Sequence, residues 1–545
     1  MPGVSSFRSR VVRAVLGGSV GILAGFTALA VAELVSGLVR PGTGPVAVVG
    51  GAVIDRTPAS VKEFAIRTFG ENDKSALRFG ILVILALIAV ALGILATSHR
   101  RAGAAGVLLL GIVGAAAALG RPDSTGIGDV LPSVAGALAG ALVLCLLATK
   151  AVEVVGAVGA AKAVEAGEVP GPGGANGEGG VGRSSRRGFL TAAGVTAVAA
   201  ISAGALGRFF TDRQGQGAVA SREGLVLPTP VSPAPAVPAG VQLKVPDITA
   251  FTTPNSDFYR VDTALTVPKV DAGTWRLRIH GKGVTRPRVY TLDQLLARPL
   301  IERDITLTCV SNEVGGPYIG NARWLGVPLA DLLEEAGVRP PSKGGRADQL
   351  VARSVDGMTL GSPVEDLMDG RDAILAVGMN GEPLPFDHGF PVRMLVPGLY
   401  GYVSACKWIE DIELTTFDAY DPYWVKRKWA RRAPIKTQSR IDTPKPFARP
   451  AAGTVTVAGV AWAQRRGITR VQIRVDDGPW QDADLAAQAG VDTWRQWSYR
   501  WNATPGGHNI TVRATDGTGQ AQTEQRTRTI PDGASGWHSV FVTVT

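Results

Sequence analysis

The chain has 545 residues, 46% of them hydrophobic, and a formal net charge of +10. That length is too great for one core and predicts three or four separately packed units. The charge does not mark a nucleic-acid binder, because no basic stripe interleaved with stacking aromatics runs through the sequence; the nearest thing is the run Lys426, Arg427, Lys428, Arg431, Arg432, and a basic protein beside anionic lipid accounts for the sign.

The N-terminal part is dominated by Ala, Leu, Val and Gly, and four apolar stretches approach the ~20 residues that a bilayer requires. They are Val15 to Val39, Leu77 to Thr97, Gly103 to Leu119 and Leu131 to Thr149, so residues 1–150 read as a helical transmembrane bundle. A linker at 151–187 follows, with a Gly-rich polar stretch from Pro170 to Gly182, and then a fifth apolar helix at 188–207. Arg8, Arg10 and Arg13 precede the first span, His99-Arg100-Arg101 lies between the second and third, and Lys150 follows the fourth. With four real spans these groups share one side, which the positive-inside rule makes cytoplasmic. The chain reads as a multi-pass cell-membrane protein, with everything after the fifth span extracytoplasmic.

Ser185-Arg186-Arg187-Gly188-Phe189-Leu190-Thr191 resembles the twin-arginine export signal, placed where a large domain has to cross. The competing account is that Arg186 and Arg187 are ordinary positive-inside anchors. A similar combination of ordinary insertion followed by folded export is found in actinobacterial Rieske proteins. Ala203-Gly204-Ala205 offers a cleavage site, though retention as an anchor is the preferred reading. Of the five histidines only His99 is near a span, so no haem is expected. A quinone or a separate electron-transfer partner remains as the membrane-side expectation.

Residues 208–245 contain Pro228-Thr229-Pro230 and Pro233-Ala234-Pro235 and read as a semi-extended spacer. Beyond them, Trp275 to Ile279, Asp304 to Thr308 and Gln349 to Arg353 have strand character, whereas Leu292 to Ala297 and Leu329 to Ala336 look helical. An α+β domain over 246–445 follows. The three cysteines, Cys145, Cys309 and Cys406, form no CxxC pair, so a disulfide framework, a zinc site and an iron–sulfur site are all unsupported. Cys145 reads as a lipid-facing or packing thiol. Cys309 ends a strand and enters a loop holding Gly315, Gly316 and Gly320. On its own it is as easily inert packing as chemistry.

Its surroundings change that balance. The runs Met379-Asn380-Gly381-Glu382-Pro383-Leu384-Pro385, Asp387-His388-Gly389-Phe390-Pro391-Val392-Arg393 and Val396-Pro397-Gly398 closely resemble the molybdopterin domain of sulfite oxidases and related reductases. So do Ala322-Arg323-Trp324-Leu325-Gly326-Val327, and Asn255 with Phe258-Tyr259-Arg260. The resemblance implies a molybdopterin cofactor with molybdenum, or tungsten in its place, ligated by the Cys309 thiolate, a soft donor suited to that metal. It further implies that Arg393, His388, Ser404 and Lys407 clamp the pterin, with Asn255, Tyr259 and Arg260 approaching from an earlier loop. Taken singly, each has a bland alternative: ion pairs for Arg393 and Lys407, a turn histidine for His388, a core aromatic for Tyr259.

Two departures bear on substrate. The loop after Cys309 reads Val310-Ser311-Asn312-Glu313-Val314, where sulfite oxidases supply arginines, and the family's active-site tyrosine is replaced by Val377, whereas Arg260 matches the family's retained anion-facing arginine and is implied, with Cys309, as catalytic. The acid at Glu313 repels a sulfite dianion. The expected activity is two-electron oxygen-atom transfer on a small S- or N-oxo compound. The alternatives are a reductase repairing methionine-sulfoxide-type damage in envelope proteins and a cofactor-free adhesion or assembly module.

Residues 446–545 alternate at Val455/Val457, Val471/Ile473/Val475 and Ile510/Val512, with turns at Asp477-Gly478 and Pro505-Gly506-Gly507. An immunoglobulin-like β-sandwich is expected. Ala458 to Trp462, Val475 to Trp480 and Val512 to Asp516 resemble the dimerisation domain of the same family, implying a homodimer, with a membrane-anchored monomer as the alternative.

Overall fold

The structure, a computed structural model, describes residues 2–545 except 59–60, 62–63, 65–67, 70–72, 122–123, 125 and 166–177. The chain divides into two compact units, residues 1–216 with 264–266, and residues 217–263 with 267–545.

The first unit is helical: α1 (Pro2–Val39), α2 (Pro45–Arg56), α3 (Asp73–Ala96), α4 (Arg100–Leu119), α5 (Leu131–Glu165) and most of α6 (Glu178–Glu223). Among the described residues, five helical stretches are long and apolar enough to cross a membrane: Val11–Val39, Lys74–Ala96, Arg100–Leu119, Ile127–Gly156 and Ser185–Glu223. Each covers one of the five expected spans. Small residues let the backbones touch. A Cβ on Gly21 would lie 1.9 Å from the Ala89 carbonyl oxygen, and one on Gly93 would lie 2.1 Å from that of Gly17, so α1 and α3 meet backbone to backbone. Cross-links fix the alternating direction of the helices. At one end Arg100 donates to the Thr149 hydroxyl (3.0 Å); at the other Arg40 pairs with the buried Asp129 (3.1 Å) and Arg121 donates to the Gly42 carbonyl (2.6 Å). Gly188 of α6 faces the Lys150 ammonium, and Gly207 lies against the backbone of Glu33 and Leu34. Thus α6 starts at the end carrying Arg100 and Lys150 and finishes at the other.

The second unit builds its first part from two sheets. One has the order β2 (Arg288–Thr291), β1 (Arg276–Gly281), β10 (Ile409–Thr415), β5 (Gln349–Ser354), β6 (Thr359–Pro363). The other has β3 (Ile301–Thr308), β4 (Ile319–Pro328), β7 (Ile374–Met379), β8 (Glu382–Pro383), with β9 (Arg393–Leu395) paired to β7. Short helices at Leu292–Leu296 and Leu329–Glu335 complete the expected α+β pattern, the former opened by a Thr291/Gln294 capping box. The core holds Leu277, Ile279, Leu307, Trp324, Leu375, Val377 and Phe390, all buried.

Two further four-stranded sheets follow: β11 (Gln438–Thr443), β12 (Gly453–Trp462), β16 (Arg495–Ala503), β15 (Asp484–Leu485), and β14 (Gln481–Asp482), β13 (Ile468–Val475), β17 (Gly506–Asp516), β18 (His538–Val544). Val457, Val471, Ile473, Trp497, Ile510, Val512 and Val542 share one core, so the alternation seen in the sequence is the alternation of the buried faces. This region begins with β11, ahead of the expected boundary at 446.

Two linkers differ from expectation. Residues 151–165 continue α5, and the rest of the Gly-rich stretch lies largely outside the described residues. The expected spacer at 208–245 is helix as far as Glu223, because proline first appears at Pro228 and Gly224 supplies the stop. Its remainder is no free tether. The Val231 amide donates to the Leu300 carbonyl (2.8 Å), Glu302 donates to Ser232 (2.9 Å), and Val241 enters the core, so the proline segment covers the exposed edge of β3.

Replacing Gly21 by Leu places side-chain atoms inside the α3 backbone. The full chain in detergent should lose monodispersity and melt several degrees lower. Gly80→Ala, which meets nothing within 4 Å, should leave melting unchanged or raise it by up to ~1 kcal/mol of helix propensity.

Candidate active site

Strands β3 and β4 pair in register down to Thr308 opposite Ile319, and Cys309 is the next residue. Its amide donates to the Tyr318 carbonyl (3.0 Å) and its carbonyl accepts from Asn312 (3.0 Å), closing a tight loop at the strand end. The buried Asn312 side chain accepts from the Tyr318 amide (2.8 Å). The C-terminal sheets support this loop from behind. Gln464 donates to the Thr306 carbonyl (2.9 Å), Trp494 donates through its amide to the Thr306 hydroxyl (2.8 Å), and Arg440 donates to the Gly316 carbonyl (2.9 Å). Gly315 has φ +80°, and a Cβ there would fall 2.2 Å from the His538 ring. The Cys309 thiol is free and buried. Burial pushes its pKa up, offset in part by hydrogen bonds from Ser311 and by the charge of Lys407.

Against this loop the fold gathers cations. Arg393, 3% exposed, donates to the His388 carbonyl (3.1 Å) and lies over the Trp324 ring, while its Nε has no partner. Lys407, 7% exposed, donates to the Asp387 carbonyl (2.8 Å) and pairs with Asp262 (3.1 Å). His388, 4% exposed, donates through Nε2 to the Asn255 carbonyl (3.0 Å) and leaves Nδ1 unpartnered. Burial, reinforced by Arg393 and Lys407, holds the His388 pKa down to about 4. Burial lowers Arg393 to about 10 and Lys407 to about 8, with Asp262 resisting the latter shift. Tyr259 lies within the field of both Cys309 and Arg393, and its hydroxyl pKa is raised, chiefly by burial.

Arg260 bridges Asp262 (3.1 Å) and Asp387 (3.2 Å). Asn255 donates to Glu382 (2.5 Å) and accepts from Asn380 (2.8 Å), which ties the earlier loop to the Met379-Asn380-Gly381 turn. Cys309, Tyr259, Arg260, His388, Arg393, Lys407 and Asn255 therefore form one connected neighbourhood. The Ser404 hydroxyl donates to the Leu399 and Tyr400 carbonyls (2.9 and 3.1 Å), as a serine ending a short helix does towards its own turn. Val377 is core and Glu313 is exposed. Asp262, whose side chain is 3% exposed, is the residue that sequence reasoning missed. A lone Asp in an irregular segment carries no periodicity or motif.

The family model for an oxidoreductase molybdopterin-binding domain matches residues 264–424, which include Cys309, His388, Arg393 and Lys407. Mitochondrial sulfite oxidase of Mus musculus is 31% identical over 291 residues, 46% of this chain and 53% of that protein. Residues 264–424 thus carry a molybdopterin-binding oxidoreductase domain, and this part of the chain is similar to sulfite oxidases. It spans about half the length of the curated relatives it matches first. A nitrate reductase [NADH] of Solanum lycopersicum is 34% identical over 182 residues, 29% of this chain and 20% of that one. The solved structure of the sulfane dehydrogenase SoxCD from Paracoccus pantotrophus covers 54% of this chain and 82% of its own at 25% identity, with a TM-score of 0.47.

The residues present suit an anionic, sulfur-bound metal cofactor. Of the two buried cations, only Lys407 has a carboxylate partner among the described residues, Asp262, which it shares with the half-buried Arg260; the Arg393 Nε and His388 Nδ1 lack partners, a surplus of positive charge and of hydrogen-bonding capacity that a phosphorylated pterin would satisfy. Removing Asp262 should expose the strain of that surplus. Asp262→Asn should destabilise the cofactor-free chain by about 3 kcal/mol or more, seen as a lower midpoint in urea, because Lys407 loses its buried counter-charge. A second expectation concerns His538, whose Nδ1 accepts from the Ile441 amide (3.0 Å) and whose pKa is lowered to about 4, mainly by burial. Its folded pKa lies below the ordinary 6.5, so its contribution is intact above that value and is lost as pH falls towards 4. Between those limits His538→Asn, which keeps an acceptor and cannot titrate, should show a shallower loss of stability than the parent.

Proposed function

We propose that this chain is a membrane-anchored molybdenum-cofactor oxidoreductase of the sulfite-oxidase type, its second unit carried on the extracytoplasmic side. The observation that carries the reading is the buried cationic neighbourhood facing the free thiol of Cys309 at the end of β3. When bound, molybdenum in its pterin supplies two-electron oxygen-atom transfer. Cys309 is the protein ligand, a role in which a metal ion opposes the burial that otherwise keeps the thiol protonated. Arg393 and Lys407 hold the anionic part of the pterin, and His388 and Asn255 orient it by hydrogen bonds. Tyr259 and Arg260 border the substrate side. Ser404 positions the turn that leads to Lys407. The paired β-sheets after residue 438 are read as an immunoglobulin-like sandwich whose support of the Cys309 loop adds to, or replaces, a role in pairing two copies. Electrons are exchanged with a separate carrier or a quinone.

The orientation rests on α6 starting at the end that bears Arg100 and Lys150. Under the positive-inside rule that end is cytoplasmic, and the chain leaves α6 on the opposite side.

The substrate side favours a neutral S-oxide over sulfite. Arg260 already spends its charge on Asp262 and Asp387, and Glu313 stands in the loop where an anion-binding arginine would be needed. A methionine-sulfoxide-type repair activity is the reading this favours. With purified, cofactor-loaded protein, kcat/KM for a neutral sulfoxide should exceed that for sulfite at least ~10-fold, a difference of about 1.4 kcal/mol; sulfite equal or better would overturn the substrate assignment. Cys309→Ser should lower turnover by more than the ~10–100-fold typical of losing an outer-shell partner, while pterin fluorescence persists because the other clamps remain. A wild-type chain from a molybdenum-competent host that contains neither metal nor pterin would leave an adhesion or assembly module as the better account.

A further inference from the structure

An open groove of about 630 Å³ runs between the middle of α5 and the first half of α6, lined by Lys150, Arg187, Gly188, Thr191, Ala192, Val195 and Thr196. Its chemistry is graded along the helix. Arg187 and Lys150 stand at one end, and nine residues further along α6, a rise of ~13 Å, the lining has become Ala192, Val195 and Thr196. The two threonines contribute little polarity of their own, since each donates its hydroxyl back along the helix, Thr191 to Arg187 (2.8 Å) and Thr196 to Ala192 (2.8 Å).

The cations have no assigned counter-charge. Among the described residues neither Lys150 nor Arg187 forms an ion pair, and Glu153, one turn along α5, is exposed and pairs with neither. More positive charge lies close by: Arg186 adjoins Arg187, and Arg100 is hydrogen-bonded to Thr149, next to Lys150. Gly188 keeps the groove open, because a Cβ there would meet only the Lys150 Nζ, at 4.0 Å. A uniformly apolar groove would take any lipid tail. A groove with two cations at one mouth, unpaired among the described residues, and an apolar wall beneath them selects an amphiphile with a negative head.

We propose that this groove is a binding site for one anionic phospholipid, its phosphate held between Lys150 and Arg187 and an acyl chain laid along Ala192 and Val195. The assignment rests on the membrane-spanning reading of α5 and α6. It gives Arg187 a lasting task after insertion, in addition to any part in an export signal. Bound lipid would bridge α5 to α6 at the level of Lys150 and Arg187.

The test uses the full chain reconstituted in nanodiscs of phosphatidylcholine doped with phosphatidylglycerol, followed by native mass spectrometry and thermal melting. Wild type should retain one phosphatidylglycerol in preference to phosphatidylcholine and melt higher in the doped discs. The doubly neutral Lys150→Gln/Arg187→Gln should lose at least ~10-fold of that preference. Gly188→Leu, which fills the groove without altering charge, should lose the bound lipid too. Soluble glycerol phosphate should not compete at millimolar concentration, which separates a lipid from a free phosphate ester. Equal retention of the two lipids by wild type, or undiminished preference in both variants, would overturn the site. A chain that stays in solution without detergent would instead defeat the membrane reading on which it stands.

Discussion

Placing a guanidinium and an ammonium in the protein interior costs several kcal/mol each unless opposite charge is close by, and the second unit is organised around meeting that cost at Arg393 and Lys407. Part of the answer is internal. Asp262 faces both Lys407 and Arg260, the Asp387 and His388 carbonyls accept from Lys407 and Arg393, and Trp324 offers its ring to Arg393. The remainder is left over, which is why the Arg393 Nε and His388 Nδ1 lack partners while nearly everything around them is bonded. The excess lies beside the thiol of Cys309, and the metal-bearing anion of the proposed function would satisfy the cations and the sulfur together.

Holding that arrangement open requires rigidity supplied from elsewhere. The loop carrying Cys309 contains glycines, one at a positive φ with the His538 ring where a side chain would go, and it gains its shape from Gln464, Trp494, Arg440 and His538. These four come from the C-terminal sheets. Trp462 and Trp494 also enter the first core, so the two halves of this unit share their buried surface. A site-bearing domain and a supporting domain is a closer description than two independent modules, and truncation after the matched segment would remove the backing of the ligand loop.

Much of this was legible in the sequence because it is periodic or ordered. Alternation marked β12, β13 and β17, the apolar runs marked all five long helices, and motifs in family order brought His388, Arg393, Lys407 and Cys309 together before any coordinates. What escaped is set by tertiary context. Asp262 stands in an irregular segment and acquires its role only when β10 delivers Lys407 beside it. Ser404 stands at a clamp position by family order, and its hydroxyl donates to its own turn. The proline-rich stretch has the composition of a tether, and it became an edge cover because β3 presents unpaired amides and carbonyls to it.

The same charge accounting narrows the chemistry outside the pterin. An arginine can attract an anionic substrate only with charge it has not already committed. Arg260 is held between two carboxylates, one of them buried, so the field it projects towards solvent is weakened. Arg393 and Lys407 are buried deeper, and in the proposed function they hold the cofactor. With Glu313 on the adjoining loop, no unspent positive group among these residues faces the entry side. On the proposed reading, recognition there comes from shape and hydrogen bonding more than from charge, the balance behind the proposal of a polar but uncharged sulfoxide over a dianion.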